Sequence, residues 1–405
     1  MSLGFPTRRV REGAVALMVP ELGRAEGEPL DRAISRAPVF YNPRMRLNRD
    51  TAVLALRAHG MRISRPAVAC EPLCGTGVRG IRLAVEVAGV ERVVLGDLNP
   101  EAVRLAEMNA ALNGVSGRVR ARLMDANILL SLHDRPRSRL DYIDIDPYGS
   151  PAPYLDAAVR ACRHGGMVAL TATDMAPLCG VHPEACLRKY GGLPLRTEYC
   201  HEAALRLVTG ALVGVSARHD VAARPLFSFA ADHYVRLYAV LERGAGRADR
   251  ALEDMGFLLH CPGCLERRPA SVDELGGSGR CGACGSRMMV GGPMWLGELA
   301  DPAFCDVMLA VSDGSALSSN RRLMGLIGLV RGEVGFKPGF YNVDTFCSRL
   351  GVASASMDDV LSALVEAGLG AARTHFHRRG VKTDASAAEV ENVLKGLPGR
   401  AGRVS

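Results

Sequence analysis

Between residues 66 and 172 the chain repeats one pattern: an apolar run of strand length ends in a glycine or a carboxylate, and a helical stretch follows. No other feature restricts the fold as much. Strands that alternate with helices form parallel sheets with crossover helices, and parallel strands buried on both faces read as unbroken apolar runs. Ala67–Cys70 runs into Glu71-Pro-Leu-Cys-Gly75-Thr-Gly77, and a helix is predicted over Val78–Gly89. Arg92–Leu95 ends at Gly96 and Asp97, and Pro100 opens a helix that reaches Asn113 and Gly114. Val119–Leu123 leads to Asp125, Tyr142–Ile145 leads to Asp146, and Met167–Thr171 is the next strand after a further helix. Ala211–Ser216 and His233–Leu241 suit the end of such a sheet, which places the close of a first domain at residue 243.

At 405 residues the chain exceeds one ordinary core, so two domains are expected, 1–243 and 251–405. Gly244–Arg250 reads as the linker, 256–296 holds paired cysteines, and 300–405 reads as mainly helical. Within it a helix is expected over Met357–Ala367, capped by Ser356 and stopped by Gly368. Near the start, Val15–Pro20 reads as a short edge strand, and a helix is expected from Asp50, as its cap, to Gly60. Hydrophobic residues at 48% and charged residues at 23% describe a folded globular chain. No apolar run reaches the length of a membrane span, and residues 1–20 show no signal-peptide core, so the expected location is cytoplasmic with no membrane partner. The formal charge is +7, and all but four of the 50 basic residues are arginines, a weak pointer to nucleic acid.

The turn Glu71–Gly77 follows a strand and opens a helix, where glycines let backbone approach a ligand. It lacks the third glycine of the dinucleotide fingerprint and the lysine of a phosphate-cradling loop. Asp97 ends the second strand, where a carboxylate can accept both hydroxyls of a ribose, and Asp125 follows the third, where it can accept an adenine amine. Ligands of open α/β sheets bind at the carboxyl ends of the strands. An adenosine cofactor without phosphates, S-adenosylmethionine, fits this set. Each carboxylate alone could equally be a helix cap.

The fourth strand runs into Asp146-Pro147-Tyr148-Gly149-Ser150. The exocyclic amine of a base is a poor nucleophile, because its lone pair is delocalised into the ring. A carboxylate on Asp146 and a backbone carbonyl at Asp146-Pro147 could accept its two hydrogens and turn the lone pair toward a sulfonium methyl. Tyr148 could hold the extruded base flat, and orientation and electrostatics would supply most of the rate. Asp146 could also take the proton afterwards. The ordinary alternative is a strand-end turn, since Asp-Pro and Gly-Ser are common turn dipeptides. Asp144 lies on the same strand face but deeper, away from the mouth where a base would enter.

Cys261-Pro-Gly-Cys264 and Cys281-Gly-Ala-Cys284 are two Cys-x-x-Cys pairs separated by 16 residues. Two such knuckles make a tetrahedral thiolate site, and four thiolates leave no open position, so a structural Zn²⁺ is expected. Disulfides or loose thiols are the alternative. The other eight cysteines read as buried small hydrophobes in a reducing compartment, and His260 as surplus to the metal set.

These motifs, together with Val39-Phe-Tyr-Asn-Pro-Arg-Met45, Gly77-Val-Arg-Gly-Ile-Arg82, Asp146–Pro151, Thr173-Asp174, Tyr190–Gly192, Arg196–Tyr199, Ala372–Phe376 and Thr383–Ala385, run nearly the whole length. In them the chain resembles the archaeal tRNA guanine-26 N2-dimethyltransferases. The resemblance agrees with an α/β, Rossmann-like class I methyltransferase sheet, while the paired cysteines, the helices expected over Thr345–Leu350 and Met357–Ala367 and the stretch His375–Thr383 suggest a zinc-containing, mainly helical, winged-helix-like C-terminal domain. The resemblance implies transfer of one or two methyl groups to the N2 of guanine 26 in tRNA. It places Arg44, Arg79, Asp97, Asp125 and Ala126 on S-adenosylmethionine, beside Glu71, Gly75 and Gly77 of the turn. Arg44 and Arg79 both suit the methionyl carboxylate. Asp146 becomes the catalytic acceptor. The family usually has phenylalanine where this chain has Tyr148, and serine or alanine where it has Cys74. The C-terminal domain would hold the tRNA, with Arg378 and Arg379 as the best phosphate contacts and Phe336, Phe340 and Phe346 as core. Nothing in the sequence calls for an obligate protein partner. A methyltransferase for adenine or ribosomal RNA, or an RNA-binding protein without activity, are the alternatives.

Overall fold

The computed structural model describes residues 3–23, 27–276 and 279–397. An N-terminal hairpin, β1 (Thr7–Glu12) and β2 (Val15–Pro20), and a short helix α1 (Leu30–Ser35) precede α2 (Arg46–Gly60). The alternating region then yields β3 (Ala67–Glu71), α3 (Val78–Glu86), β4 (Val90–Asp97), α4 (Pro100–Leu112) and β5 (Val119–Leu123). It continues with α5 (Ala126–Ser131), β6 (Leu140–Ile145), α6 (Leu155–Ala161) and β7 (Cys162–Ala172). Three helices follow, α7 (Met175–Leu178), α8 (Pro183–Tyr190) and α9 (Cys200–Ala217), before the hairpin β8 (Val221–Ala231) and β9 (Tyr234–Arg243).

The seven-stranded sheet has the order β5-β4-β3-β6-β7-β9-β8. Strands β3 to β7 are parallel, while β9 runs antiparallel to both β7 and β8. The chain moves outward from β3 to β5 and then returns to the other side of β3 with β6. The switch point therefore lies between β3 and β6, and the crevice outside their carboxyl ends is where a ligand binds in such sheets.

One apolar layer packs α2 and α3 against the sheet through Leu54, Ile81, Leu83 and Leu95. The opposite face buries Leu155, Val159, Leu205 and Val208 of α6 and α9 against Ile143, Leu170 and Leu237. Two helices from later in the chain, α11 (Pro302–Ala310) and α12 (Arg321–Gly332), join the first layer through Phe304, Met308, Leu323 and Ile327. In the chain between β9 and α11 come α10 (Ala245–Glu253) and a three-stranded sheet of β10 (Met255–His260), β11 (Arg267–Ala270) and β12 (Met289–Trp295), whose residues Leu258, Met294 and Trp295 join the layer of α9.

The C-terminal part comprises β13 (Tyr341–Asn342), α13 (Val343–Leu350), α14 (Met357–Glu366), β14 (Ala371–Arg373), β15 (Gly380–Thr383) and α15 (Ala387–Gly396). Its own core contains Phe346, Val360, Leu364, Val381 and Val390. Ser356 caps α14 by accepting from the Asp359 amide, and Gly368 follows with φ +77°, as expected. Among the described residues no helix is long and apolar enough to cross a membrane.

Several elements differ from expectation. Ala211–Ser216 is the end of helix α9, and the missing outer strand is β8. Gly244–Arg250, read as linker, instead caps and opens helix α10, which spans Ala245–Glu253. The helix expected to start at Asp50 starts at Arg46, and the one expected to reach Gly89 ends at Glu86. Asp50 is therefore buried inside α2, where its carboxylate lies 2.7 Å from Arg82 Nη1. Arg82 also meets Glu12 at 3.1 Å and Glu86 at 2.8 Å, and Glu12 takes Arg49 at 2.6 Å. This buried network fastens the N-terminal hairpin to α2 and α3. Burial pushes the Glu12 carboxyl up, but Arg49 and Arg82 outweigh it and hold it at about 2.

Candidate active site

The strand tips at the switch point carry the acidic residues. Asp97 ends β4, and its carboxylate is fixed on both oxygens: Oδ2 accepts the Gly75 amide at 2.9 Å, and Oδ1 the Asn99 amide at 2.9 Å. Gly75 and Gly77 have φ of +51° and +74°. A Cβ on Gly75 would lie 2.9 Å from the Phe40 carbonyl oxygen, and one on Gly77 would lie 2.9 Å from Ala106 Cβ. The glycines thus serve close approach: the first to the incoming segment 38–45, the second to α4. That segment is tied down again by Asn99, whose Nδ2 donates to the Pro38 carbonyl at 2.7 Å. It carries Arg44, exposed on the single turn Pro43–Met45.

Asp125 caps α5, its Oδ1 accepting the amides of Asn127 and Ile128 at 2.9 and 3.1 Å. Ala126, the first helical residue, is buried. The Met124 amide donates to the Asp97 carbonyl at 3.0 Å, so the ends of β4 and β5 stay together. Leu98 and Ile128, beside these carboxylates, expose large apolar side chains.

Glu71 and Asp146 do not meet directly; Arg79 stands between them. This arginine, 2% exposed, donates from Nε to Glu71 at 3.1 Å and from Nη1 to Asn48 Oδ1 at 2.7 Å and Asp144 Oδ2 at 3.2 Å. Its Nη2 pairs with Asp146 Oδ2. Asp146 Oδ1 has no hydrogen bond among the described residues, and the side chain is 18% exposed. Burial pushes the Glu71 carboxyl up to about 8, with Arg79 opposing and Asp144 adding to the rise. Asp144 is buried beneath, held by Arg236 Nη2 at 2.6 Å and by the Tyr142 hydroxyl at 2.5 Å. Burial raises its carboxyl, but Arg236 and Arg79 prevail and keep it below the ordinary range. Asn48 completes the set by donating to Thr171 Oγ1 at 3.1 Å.

The turn after Asp146 is braced from the β7 side. The Gly149 amide donates to Thr173 Oγ1 at 2.8 Å, and the Thr173 amide returns to the Gly149 carbonyl at 2.9 Å. Ser150 Oγ donates to the Tyr190 hydroxyl at 2.8 Å, which donates to Asp174 Oδ1 at 2.6 Å. Pro147 is buried, whereas Tyr148 is 89% exposed, its ring standing clear of the turn. The motifs Thr173-Asp174 and Tyr190 thus serve the turn mechanically. Arg236 and Asn48 escaped the sequence reading. The signal was present for Arg236: a lone charge inside the apolar strand Tyr234–Leu241 needs a buried partner.

The four cysteines converge away from this crevice. Cys261 and Cys284 Sγ lie 3.4 Å apart, Cys264 and Cys281 Sγ 3.5 Å, and all four lie within 4.8 Å of one another. Both knuckles repeat the same bonds. Cys261 N donates to the Glu266 carbonyl and Leu265 N to the Cys261 carbonyl; Cys281 N and Gly285 N do the same with Ser286 and Cys281, all at 2.8 Å. Leu265 and Gly285 take the matching positive φ of +66° and +71°. A tetrahedron with metal–sulfur bonds of roughly 2.3 Å places its sulfurs a little under 4 Å apart, so the donor set fits Zn²⁺. His260 lies edge-on to the Tyr199 ring at 5.4 Å and takes no part.

In the C-terminal part Phe340 and Phe346 are core. Arg378 is exposed, but Arg379 is engaged by Asp344 at 2.9 Å and by Ser354 at 2.5 Å. Buried Glu202 of α9 ties this part to the main sheet by accepting the Gly339 amide at 2.8 Å and Lys382 Nζ at 2.7 Å.

Comparison with known proteins agrees with this architecture. The family model described as N2,N2-dimethylguanosine tRNA methyltransferase matches residues 15–395. A tRNA (guanine(26)-N(2))-dimethyltransferase of Methanothermobacter thermautotrophicus is 39% identical over 389 residues, covering 96% of this chain and 98% of the relative. One of Methanopyrus kandleri is 41% identical, covering 97% and 98%. The solved complex of Trm1 from Pyrococcus horikoshii with S-adenosyl-L-methionine superposes with a TM-score of 0.82 at 32% identity, covering 95% of this chain and 99% of the other.

Proposed function

The chain belongs to the N2,N2-dimethylguanosine tRNA methyltransferase family, and from that premise we propose that it transfers one or two methyl groups from S-adenosylmethionine to the exocyclic N2 of guanine 26 in tRNA. The observation that carries this reading is the gathering of Asp97, the Gly75 turn and Asp146 at the switch point, with Asp146 Oδ1 unengaged among the described residues. S-adenosylmethionine supplies an electrophilic methyl on a sulfonium when bound. The residues present fit it. Asp97, already oriented by two amides, has lone pairs left for ribose hydroxyls. Asp125 and Ala126 border the adenine, with Leu98 and Ile128 as apolar walls. Arg44 takes the methionyl carboxylate, while Arg79 works chiefly by holding Asp146.

Asp146 accepts one amine hydrogen on Oδ1 and the backbone carbonyl at Asp146-Pro147 accepts the other. The lone pair of the nitrogen then points out of the purine plane, and Asp146 receives the proton that the methylated nitrogen must lose. The Arg79 clamp fixes the carboxylate before the base arrives, so no reorganisation is needed in the transition state. Tyr148, exposed at the turn, stacks on the extruded guanine. Cys261, Cys264, Cys281 and Cys284 hold a structural Zn²⁺. Residues 1–243 form the methyltransferase domain, and 251–405 a tRNA-binding domain whose end, with α13, α14 and the strands β14 and β15, is winged-helix-like. The enzyme works in the cytoplasm, where its substrate is.

The test is nucleoside mass analysis of tRNA incubated with the protein and S-adenosylmethionine, with a transcript carrying adenine at position 26 as control. N2-methylated guanosine is expected only from the guanine transcript; unmodified tRNA in the presence of folded protein overturns the reading.

A further inference from the structure

A cavity of about 430 Å³ opens between the tip of the β8–β9 hairpin, the first turns of α12 and residues 375–376. We infer that it receives a nucleotide of the tRNA adjacent to the guanine being methylated. The inference rests on the proposed function and adds a second contact site for the same RNA chain.

Position is the first argument. The hairpin tip, Asp232–Tyr234, stands at the carboxyl end of β7, whose other neighbour is β6, the strand that ends at Asp146. Strands in a sheet are about 4.8 Å apart, so the tip lies roughly 10 Å along the sheet from the strand end that presents Asp146. That is within reach of a neighbouring nucleotide but too far for the target base. Asp146 and Tyr148 do not line the cavity.

Chemistry is the second. Leu47, Leu326, Leu329 and Phe376 offer an apolar and aromatic surface, which suits the face of a base. Arg321 is exposed at the cavity and has no ion-pair partner among the described residues, which suits a phosphate. Arg322 is held beside it by Asp232 at 2.8 Å. Tyr234 lines the same space, is 3% exposed, and its hydroxyl has no hydrogen-bond partner among the described residues.

The wall is firm. His375 Nδ1 lies 2.7 Å from Glu333 Oε1, and its Nε2 accepts the Ala230 amide at 3.1 Å, so the ring is fixed between α12 and β8. Gly325 of α12 also faces the cavity, and a Cβ there would meet nothing within 4 Å. A larger side chain at Gly325 can therefore fill the space without disturbing the fold.

The experiment measures steady-state methylation of full-length tRNA by the wild-type protein, Arg321→Glu and Gly325→Phe, with S-adenosylmethionine affinity and thermal midpoint as controls. Both variants are expected to raise KM for tRNA about tenfold, Arg321→Glu by losing one charged contact and Gly325→Phe by occupying the space of the base, while the cofactor affinity stays within about twofold and the thermal midpoint does not fall. Unchanged KM in both variants, with an active wild type, overturns this inference and leaves the proposed function standing. A wild-type protein that makes no N2-methylguanosine overturns both.

Discussion

Replacing Asp146 with alanine separates cofactor binding from methyl transfer. Arg79 keeps its bonds to Glu71, Asn48 and Asp144 and loses one partner. The cost in stability is about 1–2 kcal/mol, at the low end because the site is partly open to water. Catalysis suffers more. The amine loses a charged acceptor, worth about 1.5–3 kcal/mol, and the departing proton loses its positioned base, worth about 10²-fold or more. Together these lower kcat by about 10³-fold, roughly 4 kcal/mol in the barrier. Asp146→Asn keeps an acceptor oxygen without the charge and falls between the two. Single-turnover transfer of a labelled methyl reads the rate, and calorimetry reads S-adenosylmethionine binding, which stays within a few-fold in both variants. An alanine variant that transfers methyl within tenfold of the wild-type rate refutes the role of Asp146. A variant that no longer binds the cofactor makes Asp146 a binding residue instead.

Three further outcomes are expected. Metal analysis gives one zinc per chain, and Cys264→Ser or prolonged chelation lowers the thermal midpoint while leaving cofactor affinity near the wild-type value; a zinc-free protein of unchanged stability contradicts the metal assignment. Gly77→Ala forces φ +74° on a residue with a Cβ and presses it against Ala106; denaturant titration should show a loss of about 2–3 kcal/mol, and a neutral substitution argues against the close approach of α4. Burial pushes the Glu202 carboxyl up, but Lys382 and Arg206 outweigh it and hold it at about 2. Since that is below the ordinary value of 4.5, the stabilisation is present above pH 4.5 and is lost as pH falls through 2, about 3 kcal/mol in all. Glu202→Gln should therefore be less stable than wild type at pH 7 and converge with it in acid; parallel stability curves count against the assignment.

Three of the parallel strands, β3, β4 and β6, were legible because their interiors are largely apolar and buried, and because each led to an acidic residue at its carboxyl end, Glu71, Asp97 or Asp146. The outer strand β8 was not. It carries Arg224 and Pro225 beside a register shift, where a proline is tolerated in an edge strand. Helix α9 was misread at Ala211–Ser216 because a helix buried nearly all round is apolar nearly all round, and a six-residue window of it has no period to detect. The supposed linker is a helix because Ala245–Glu253 consists mostly of good helix formers, alanine, arginine, leucine and glutamate, with a single interior glycine.

The candidate residues could be grouped from the sequence by their places at strand ends, but the connections between them could not. Spacing put carboxylates at strand ends, yet nothing in it shows Arg79 shared between Glu71, Asp144 and Asp146, or Arg236 reaching Asp144 from β9. Such partners are brought together by sheet order, which adjacency in sequence does not encode. The four cysteines were the easiest part, because two identical knuckles carry their geometry locally.

The most direct measurement replaces a single amine. A tRNA with inosine in place of guanine 26 lacks only the exocyclic N2 at the proposed target. Methyl incorporation from labelled S-adenosylmethionine should be robust into the guanine transcript and absent from the inosine one; equal incorporation into both would contradict amine methylation at Asp146.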